Sequence, residues 1–293
     1  MVKTGLPVEE ALPALRRALA DGTSAVLVAP PGAGKTTLVP LALLDERWLG
    51  ARKIVLLEPR KLAARAAALR MAELLGEPDA GGTVGYRMRL ETRVGRGTRI
   101  EVVTEGILTR MLQADPALDG VGLVVFDEFH ERSLQADEGL ALTLHARKLL
   151  RPDLRVLVMS ATLDADPVAG LLGGAAVVRA EGRTYPVETR WRERPVEGWI
   201  EPAVADTVRA ALREHDGDVL AFLPGAAEIR RTGEALEGTL PSDAAVYELF
   251  GLLPREVQDR ALRPSPPGCR KVVLASAIAE SSLTQRAYAR ASG

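Results

Sequence analysis

The sequence contains no asparagine and only one cysteine, Cys269, among its 293 residues. A single cysteine excludes an intrachain disulfide and any zinc site built from several cysteines. It follows Pro266-Pro267-Gly268, which predicts a surface turn without a chemical role. Arginine outnumbers lysine 32 to 6. The missing asparagine therefore belongs to a general compositional bias, and a cluster of arginines carries little information by itself.

Long apolar runs and a large net charge are also missing. There is no stretch of 18 apolar residues and no basic, apolar, small-residue leader at the amino end. We therefore expect a cytoplasmic protein without a membrane segment. The formal net charge of -1 argues against binding nucleic acid through bulk positive charge, although it allows a local basic channel. With 47% hydrophobic residues, the chain has the size of about two domains.

A glycine-rich loop follows the first apolar run. Residues 29–36 read Ala-Pro-Pro-Gly-Ala-Gly-Lys-Thr, after a predicted strand at 25–29 and before a predicted helix at 35–44. In such a loop the backbone N–H groups of residues 31–36 form an anion nest, the lysine reaches the β and γ phosphates, and the threonine hydroxyl holds Mg²⁺. An ordinary turn would leave the Lys-Thr pair unexplained. The predicted nucleotide-binding residues are Pro31, Gly32, Ala33, Gly34, Lys35, Thr36 and Thr37.

Two acidic residues, Asp127 and Glu128, follow a second apolar strand, predicted at 122–126. Parallel α/β sheets bind their ligands at this carboxyl end of the strands. We expect Asp127 to hold Mg²⁺ through its water shell, and Glu128 to orient and deprotonate the water that attacks ATP. Taken alone, such a pair is equally typical of an exposed helix start. His130 is either structural or couples hydrolysis to movement through a hydrogen bond to a second domain.

Six segments, in order along the chain, resemble motifs of the DEAH-type superfamily 2 helicases. Asp127-Glu128-Phe129-His130 resembles the second motif, with the phenylalanine variant of the bacterial HrpB branch. Segments 57–65, 104–108, 160–162, 221–225 and 274–284 are similar to motifs Ia, Ib, III, IV and V. The resemblance implies an ATP-dependent RNA helicase that uses ATP and Mg²⁺ and moves from 3′ to 5′ on single-stranded RNA. The residues themselves do not distinguish RNA from DNA.

Motifs Ia and Ib each follow a predicted strand. We therefore expect them at the same sheet edge as the glycine-rich loop of residues 29–36, which we call the phosphate loop. There they would contact successive phosphates of a single strand without reading bases. An ordinary turn is the alternative for Pro59-Arg60. The arginine-rich stretch 87–99 is either a hairpin that contacts phosphates, with Tyr86 stacked on a base, or a solvated face. The predicted nucleic-acid contacts are Arg60, Thr104, Glu105 and Gly106.

Motifs III and V provide the residues that we expect to couple hydrolysis to domain movement, namely Ser160, Thr162, Glu280 and Ser281. This role is implied by the resemblance. The hydroxyl groups of Ser160 and Thr162 follow a strand and are also typical of helix caps. They would then cap the helix predicted at 164–171. Both roles are compatible.

Strands and helices alternate at the spacing of a parallel α/β sheet, and the pattern restarts after residues 181–186. We predict two RecA-like parallel-sheet domains of a P-loop NTPase, 1–186 and 187–293, the second truncated. Gln285-Arg286-Ala287 resembles the opening of the family's arginine motif, but Tyr288 replaces its first glycine. We expect Arg286 and Arg290 to form a solvated tail, and the chain to be a monomeric portion of a longer helicase.

Two other functions fit parts of the sequence. The chain would be a nucleotide-dependent module that binds nucleic acid or a protein partner if it lacked efficient turnover. A P-loop kinase for small molecules or a transporter ATPase would not need motifs Ia, Ib, III and V in order. Residues 6–22 contain no glutamine arranged to read adenine, which predicts tolerance of other purine triphosphates.

Overall fold

The computed structural model describes residues 4–161, 165–182, 187–192 and 195–279. The chain divides into two units, Met1–Thr184 and Tyr185–Gly293. This division is close to the boundary expected after residue 186, and the assignment of these ranges as domains stays a prediction. Each unit contains a sheet of mostly parallel strands with helices between them, which confirms the predicted α/β fold class.

Within the described residues, the first unit has a sheet of eight strands: β1 (Ser24–Val28), β2 (Lys53–Leu57), β3 (Val84–Met88), β4 (Glu91–Arg93), β5 (Ile100–Val103), β6 (Val121–Phe126), β7 (Arg155–Ser160) and β8 (Ala176–Arg179). Their order is β4-β3-β5-β2-β6-β7-β1-β8, and only the β3–β4 pair is antiparallel. β1 and β6 are buried along their whole length. Such continuous burial is typical of a parallel sheet covered on both faces by helices.

Helices cover both faces of this sheet. One face is packed by α1 (Val8–Asp21), α2 (Lys35–Leu43) and α3 (Lys61–Leu74). The other is packed by α4 (Glu105–Ala114), α5 (Leu134–Leu149) and α6 (Asp166–Leu171). Sequence periodicity predicted all of these except α1. Pro13 lies inside α1, where proline ordinarily removes a hydrogen bond and breaks a helix.

The second unit repeats the pattern on a smaller scale. Its elements are α7 (Ile200–Glu214), β9 (Val219–Phe222), α8 (Ala226–Leu236), β10 (Ala244–Leu249), α9 (Arg255–Leu262) and β11 (Arg270–Ala275). The described strands are parallel and lie in the order β10-β11-β9. The apolar side chains of α7 and α8 pack with this sheet. The alternation predicted for this part of the chain is confirmed.

The arginine-rich stretch forms the β3–β4 hairpin, but Tyr86 does not point to solvent. Its side chain is fully buried, and its hydroxyl donates a hydrogen bond to Glu91. The prediction that Tyr86 stacks on a base is therefore wrong, because β3 lies between β4 and β5 and turns this ring into the core. Arg87 and Arg93 form ion pairs with Glu101 and Asp79, as expected for a solvated face.

Cys269 is exposed in a turn closed by its N–H donating to the carbonyl of Pro266, which confirms the predicted placement. In the described parts of the chain, none of the helices has both the length and the apolar character needed to cross a membrane.

Candidate nucleotide and nucleic-acid site

The sheet of the first unit brings the predicted motifs to one edge. The neighbouring strands β5, β2, β6, β7 and β1 are parallel, so their carboxyl ends point the same way. Motif Ib follows β5, motif Ia follows β2, the acidic pair follows β6, motif III begins at the end of β7 and the phosphate loop follows β1. Such an edge is where α/β sheets bind ligands.

The phosphate loop has the backbone that an anion nest requires. Gly32 and Gly34 have φ values of +76° and +87°, which side-chain-bearing residues rarely adopt. A Cβ atom on Gly34 would also lie 2.8 Å from Cδ1 of Leu6. The loop leads directly into the first turn of α2, whose N–H groups have no acceptor within the helix. This end of α2 can therefore bind phosphate.

Two predicted members of the nest, Pro31 and Ala33, contribute less than expected. Pro31 has no N–H group, and the N–H of Ala33 donates to the carbonyl of Pro30 at 3.2 Å. The hydroxyl of Thr37 is directed at the carbonyl of Gly34, at 3.5 Å. The expectation that every residue from 31 to 36 donates an N–H is wrong. Gly32, Gly34, Lys35, Thr36 and the backbone N–H of Thr37 are the better donors.

Lys35 and Glu128 form an ion pair. The ammonium group donates to Oε1 of Glu128 at 2.8 Å, and the Lys35 side chain is almost completely buried. Burial lowers the pKa of Lys35, but the carboxylates of Asp127 and Glu128 outweigh it, so the pKa is raised above its usual value. Lys35 therefore remains charged at neutral pH. The structure thus joins the predicted phosphate-binding lysine to the predicted base.

Asp127 has a geometry that fits Mg²⁺ binding. Its Oδ1 accepts the N–H of Glu128 at 2.8 Å, while its buried Oδ2 has no hydrogen-bond partner within the described residues. Burial raises its pKa to about 6, although Lys35 opposes the rise and the Thr36 side chain lies close enough to oppose it as well. A buried carboxylate oxygen beside a threonine hydroxyl suits a hard cation.

In the part of the chain that the structure describes, no group of three or more acidic, histidine or cysteine side chains could bind a metal on its own. A cation here would therefore need phosphate oxygens and water as further ligands, which is usual for Mg²⁺.

A third carboxyl group, that of Glu58, lies at this edge in addition to Asp127 and Glu128. The sequence alone did not place it in the nucleotide site. It follows β2, which pairs with β6 so that Leu57 lies beside Phe126 and the next residues are Glu58 and Asp127. Glu58 is buried, and its Oε1 has no hydrogen-bond partner among the described residues. Burial and the carboxylates of Asp127 and Glu128 raise its pKa well above the usual value. Its position follows from strand register, which local sequence does not reveal.

We expect Glu58→Gln to stabilise the nucleotide-free protein at pH 7.5 by about 1 kcal/mol, because a neutral amide avoids burying a carboxylate charge. The raised pKa means that the folded state favours protonated Glu58. The stability that protonated Glu58 contributes to the folded state is therefore complete below the pKa of the unfolded chain. It is lost as the pH rises towards the pKa of Glu58 in the folded state. The variant's advantage should grow with pH. Urea denaturation between pH 4.5 and 8 measures it.

Glu101→Gln is the matched control for this stability prediction. Glu101 is equally buried, but Arg87 donates to it at 2.7 Å and Lys53 lies 3.5 Å away, so its charge is compensated. We expect this variant to be less stable than wild type. A Glu58→Gln protein with unchanged or lower stability at pH 7.5 would show that Glu58 is also compensated.

His130 connects the acidic pair to motif III. Its Nδ1 accepts the N–H of Ala161 at 3.4 Å and lies 3.4 Å from Oε2 of Glu128. Ser160 is buried at the end of β7, but α6 begins only at Asp166 with Ala165 in the capping position, so the prediction that Ser160 caps this helix is wrong. Other predicted residues lie outside the described residues, namely Thr162, Glu280, Ser281, Arg286 and Arg290.

The predicted nucleic-acid contacts lie at the ends of β2 and β5. Arg60 precedes α3 and donates to Oε2 of Glu131 at 3.2 Å. Thr104 precedes α4, and Glu105 accepts a hydrogen bond from the hydroxyl of Ser133. A Cβ atom on Gly106 would meet open space. These residues share one edge, with Arg60 and Glu105 each linked to the segment that follows the acidic pair.

Comparison with known proteins agrees with this geometry. The family model described as DEAD/DEAH box helicase matches residues 9–169, more than half of the chain. The chain is 52% identical over 281 residues to the ATP-dependent RNA helicase HrpB of Escherichia coli, covering 96% of this chain and 34% of the relative. It is 35% identical over 289 residues to the pre-mRNA-splicing factor ATP-dependent RNA helicase prp22 of Schizosaccharomyces pombe, covering 96% and 25%. The chain thus spans 34% and 25% of the lengths of these two relatives.

Solved structures show the same likeness. The crystal structure of the Escherichia coli DEAH/RHA helicase HrpB superposes with a TM-score of 0.87, at 52% identity, over 95% of this chain and 35% of that one. A second crystal structure, of the Escherichia coli DExH-box NTPase HrpB, gives a TM-score of 0.78 over 97% and 35%. The phosphate loop, the acidic pair, the matching fold and the family model lead to one conclusion: the chain belongs to the DEAD/DEAH box helicase family.

Proposed function

We propose that this chain binds ATP with Mg²⁺, hydrolyses the γ-phosphate and couples hydrolysis to movement along single-stranded RNA. One observation carries the proposal: Lys35 forms an ion pair with Glu128 at the same sheet edge as Arg60 and Thr104. The names of the two curated relatives, both ATP-dependent RNA helicases, support it. They also favour RNA over DNA, which the residues alone do not distinguish.

In this proposal the chain's own groups bind the phosphates and position water. The N-terminal N–H groups of α2 and the ammonium of Lys35 bind the β and γ phosphates. Thr36 and Asp127 hold Mg²⁺, which when bound neutralises charge on the phosphate oxygens. Glu128 then exchanges its ion pair with Lys35 for a hydrogen bond to water and accepts the water's proton.

The nucleic-acid edge acts through phosphates. Arg60 supplies a guanidinium group, and the backbone N–H groups at the start of α4 add further donors, because the first turn of a helix has no internal acceptors. Such contacts hold a strand without reading its sequence. His130 would transmit the state of the nucleotide to Ser160 and Ala161 of motif III, because the N–H of Ala161 donates to it.

Steady-state hydrolysis of ATP, measured alone and with single-stranded RNA, single-stranded DNA or duplex, tests the proposal. We expect turnover that RNA stimulates. Tight ATP and RNA binding without turnover would favour the alternative, a nucleotide-dependent binding module. GTP in place of ATP should also be hydrolysed, because no glutamine in residues 6–22 is placed to read adenine.

Arg60→Ala should weaken single-stranded RNA binding about equally for all sequences and lower its salt dependence, because one phosphate contact and its counterion release are lost. Fluorescence anisotropy at several salt concentrations measures both effects. Arg70→Ala is the matched control, since Arg70 pairs with Glu73 on the surface of α3. A change confined to one RNA sequence, or no change, would remove Arg60 from the strand-binding edge.

A further inference from the structure

One short segment contacts every other motif at the site edge. We name residues 128–133 the motif II turn; it contains a 3₁₀ helix, Phe129–Glu131. The φ values at its two flanks, Glu128 and Arg132, are both +48°, which is rare for residues with side chains. A backbone in such a conformation persists only where surrounding contacts hold it, and such positions cluster at active sites and switch regions. The contacts of the motif II turn therefore decide its position.

The motif II turn contacts residues of both the nucleotide site and the nucleic-acid edge. Towards the nucleotide site, Glu128 pairs with Lys35 at 2.8 Å. Towards the nucleic-acid edge, Glu131 pairs with Arg60 at 3.2 Å, and the hydroxyl of Ser133 donates to Glu105. Phe129 anchors the middle of the turn in the core, edge-to-face with Phe126. The N–H of Glu131 donates to the carbonyl of Glu128 at 2.9 Å, so a shift at Glu131 would be transmitted to Glu128.

The Glu131–Arg60 pair occupies the guanidinium that the proposed function assigns to RNA phosphate. The side chains of Arg60 and Glu131 are 23% and 30% exposed, so a phosphate can reach them. Phosphate and carboxylate bind the same donors of a guanidinium group and therefore compete. RNA binding at Arg60 would release Glu131 from its partner.

We propose that Glu131 is a positioning residue that makes hydrolysis depend on RNA. This inference rests on the proposed function. Without RNA, the Glu131–Arg60 pair holds the motif II turn in the arrangement in which Glu128 is bonded to Lys35 and is not free to accept a proton from water. A phosphate on Arg60 displaces Glu131, the turn shifts, and Glu128 is released to act as the base.

Glu131→Gln should raise ATP hydrolysis in the absence of RNA and tighten RNA binding, because the carboxylate that competes for Arg60 is gone. A pair this exposed is weak, so each change should be about two- to fivefold, and stimulation by RNA should fall by a similar factor. A merely structural role for Glu131 would lower both basal and stimulated turnover. Glu73→Gln removes the same charge from another surface ion pair and should change neither.

Two further variants separate the ion pair from general charge effects. Glu131→Asp keeps the charge but shortens the reach to Arg60, so it should behave like Glu131→Gln. In an Arg60→Ala background, Glu131→Gln should no longer change RNA affinity, since double-mutant cycles isolate a pairwise term. If Glu131→Asp matched wild type, or the gain in RNA affinity persisted without Arg60, the inference would be overturned.

The wild-type chain measured in parallel distinguishes failure of the inference from failure of the proposed function. RNA-stimulated hydrolysis by wild type, with a Glu131→Gln variant indistinguishable from it in basal turnover and RNA affinity, rejects the role of Glu131 alone. A wild-type chain that does not hydrolyse ATP rejects the proposed function and this inference with it. Thermal denaturation of each variant confirms that folding is retained.

Discussion

Glu128→Gln should bind ATP with nearly wild-type affinity and hydrolyse it roughly 10²- to 10⁴-fold more slowly, because the amide cannot accept the proton of the attacking water. Lys35 would lose its ionic partner but would still be able to bind the phosphates in the proposed mechanism. Single-turnover hydrolysis separates the chemical step from product release, and fluorescent-nucleotide titration measures the affinity.

Asp79→Asn is a matched control for this variant, since it also replaces a carboxylate with an amide. Asp79 pairs with Arg93 on the surface hairpin, away from the nucleotide site, so turnover should be unchanged. Wild-type turnover by Glu128→Gln would remove Glu128 as the base. In that case Asp127 would be the remaining charged candidate that directly follows β6.

The sequence was sufficient to place the phosphate loop and the acidic pair because each is a local pattern that follows an apolar strand. Lys35 begins α2 directly after the loop, and Asp127 follows β6. Because parallel strands place their carboxyl ends at the same edge of a sheet, the strand assignments alone predict that these distant segments come together. The Lys35–Glu128 contact is the outcome: the two residues are 93 positions apart in the chain and are joined by the sheet.

The features that the sequence did not reveal depend on strand order and register. Glu58 lies beside Asp127 only because β2 pairs with β6 in the observed register. Tyr86 is buried because β3 lies between β4 and β5, whereas the surrounding arginines suggested a solvent-exposed stretch. The Glu131–Arg60 pair joins residues 71 positions apart and carries no local signal. Long-range pairing decides such contacts, and residue periodicity does not encode it.

Helix α1 and the capping role of Ser160 were the other points at which the sequence was misleading. The 14-residue helix α1, which contains Pro13, was not predicted from the sequence. Ser160 has the residue type of a helix cap, yet it ends β7 and is buried. Its position favours a role at the site edge, beside Ala161, whose N–H donates to His130.

Lys35→Ala should have two separable effects. Nucleotide affinity should fall by about 30-fold or more, since losing one member of a buried charge pair at an interface costs about 2–5 kcal/mol. The nucleotide-free protein should also be destabilised by about 3 kcal/mol, because the carboxylates of Asp127 and Glu128 would remain without their buried cation. Fluorescent-nucleotide titration and urea denaturation measure the two effects.

Combining Lys35→Ala with Glu128→Gln distinguishes the two causes. Neutralising Glu128 removes one of the uncompensated charges, so the double variant should recover part of the lost stability and none of the lost nucleotide affinity. Lys53→Ala is the control, since Lys53 lies at the start of β2, away from the carboxyl ends, and pairs with Glu101 at 3.5 Å. It should leave nucleotide affinity unchanged. If Lys35→Ala bound ATP as tightly as wild type, the loop at residues 29–36 would not be the phosphate site.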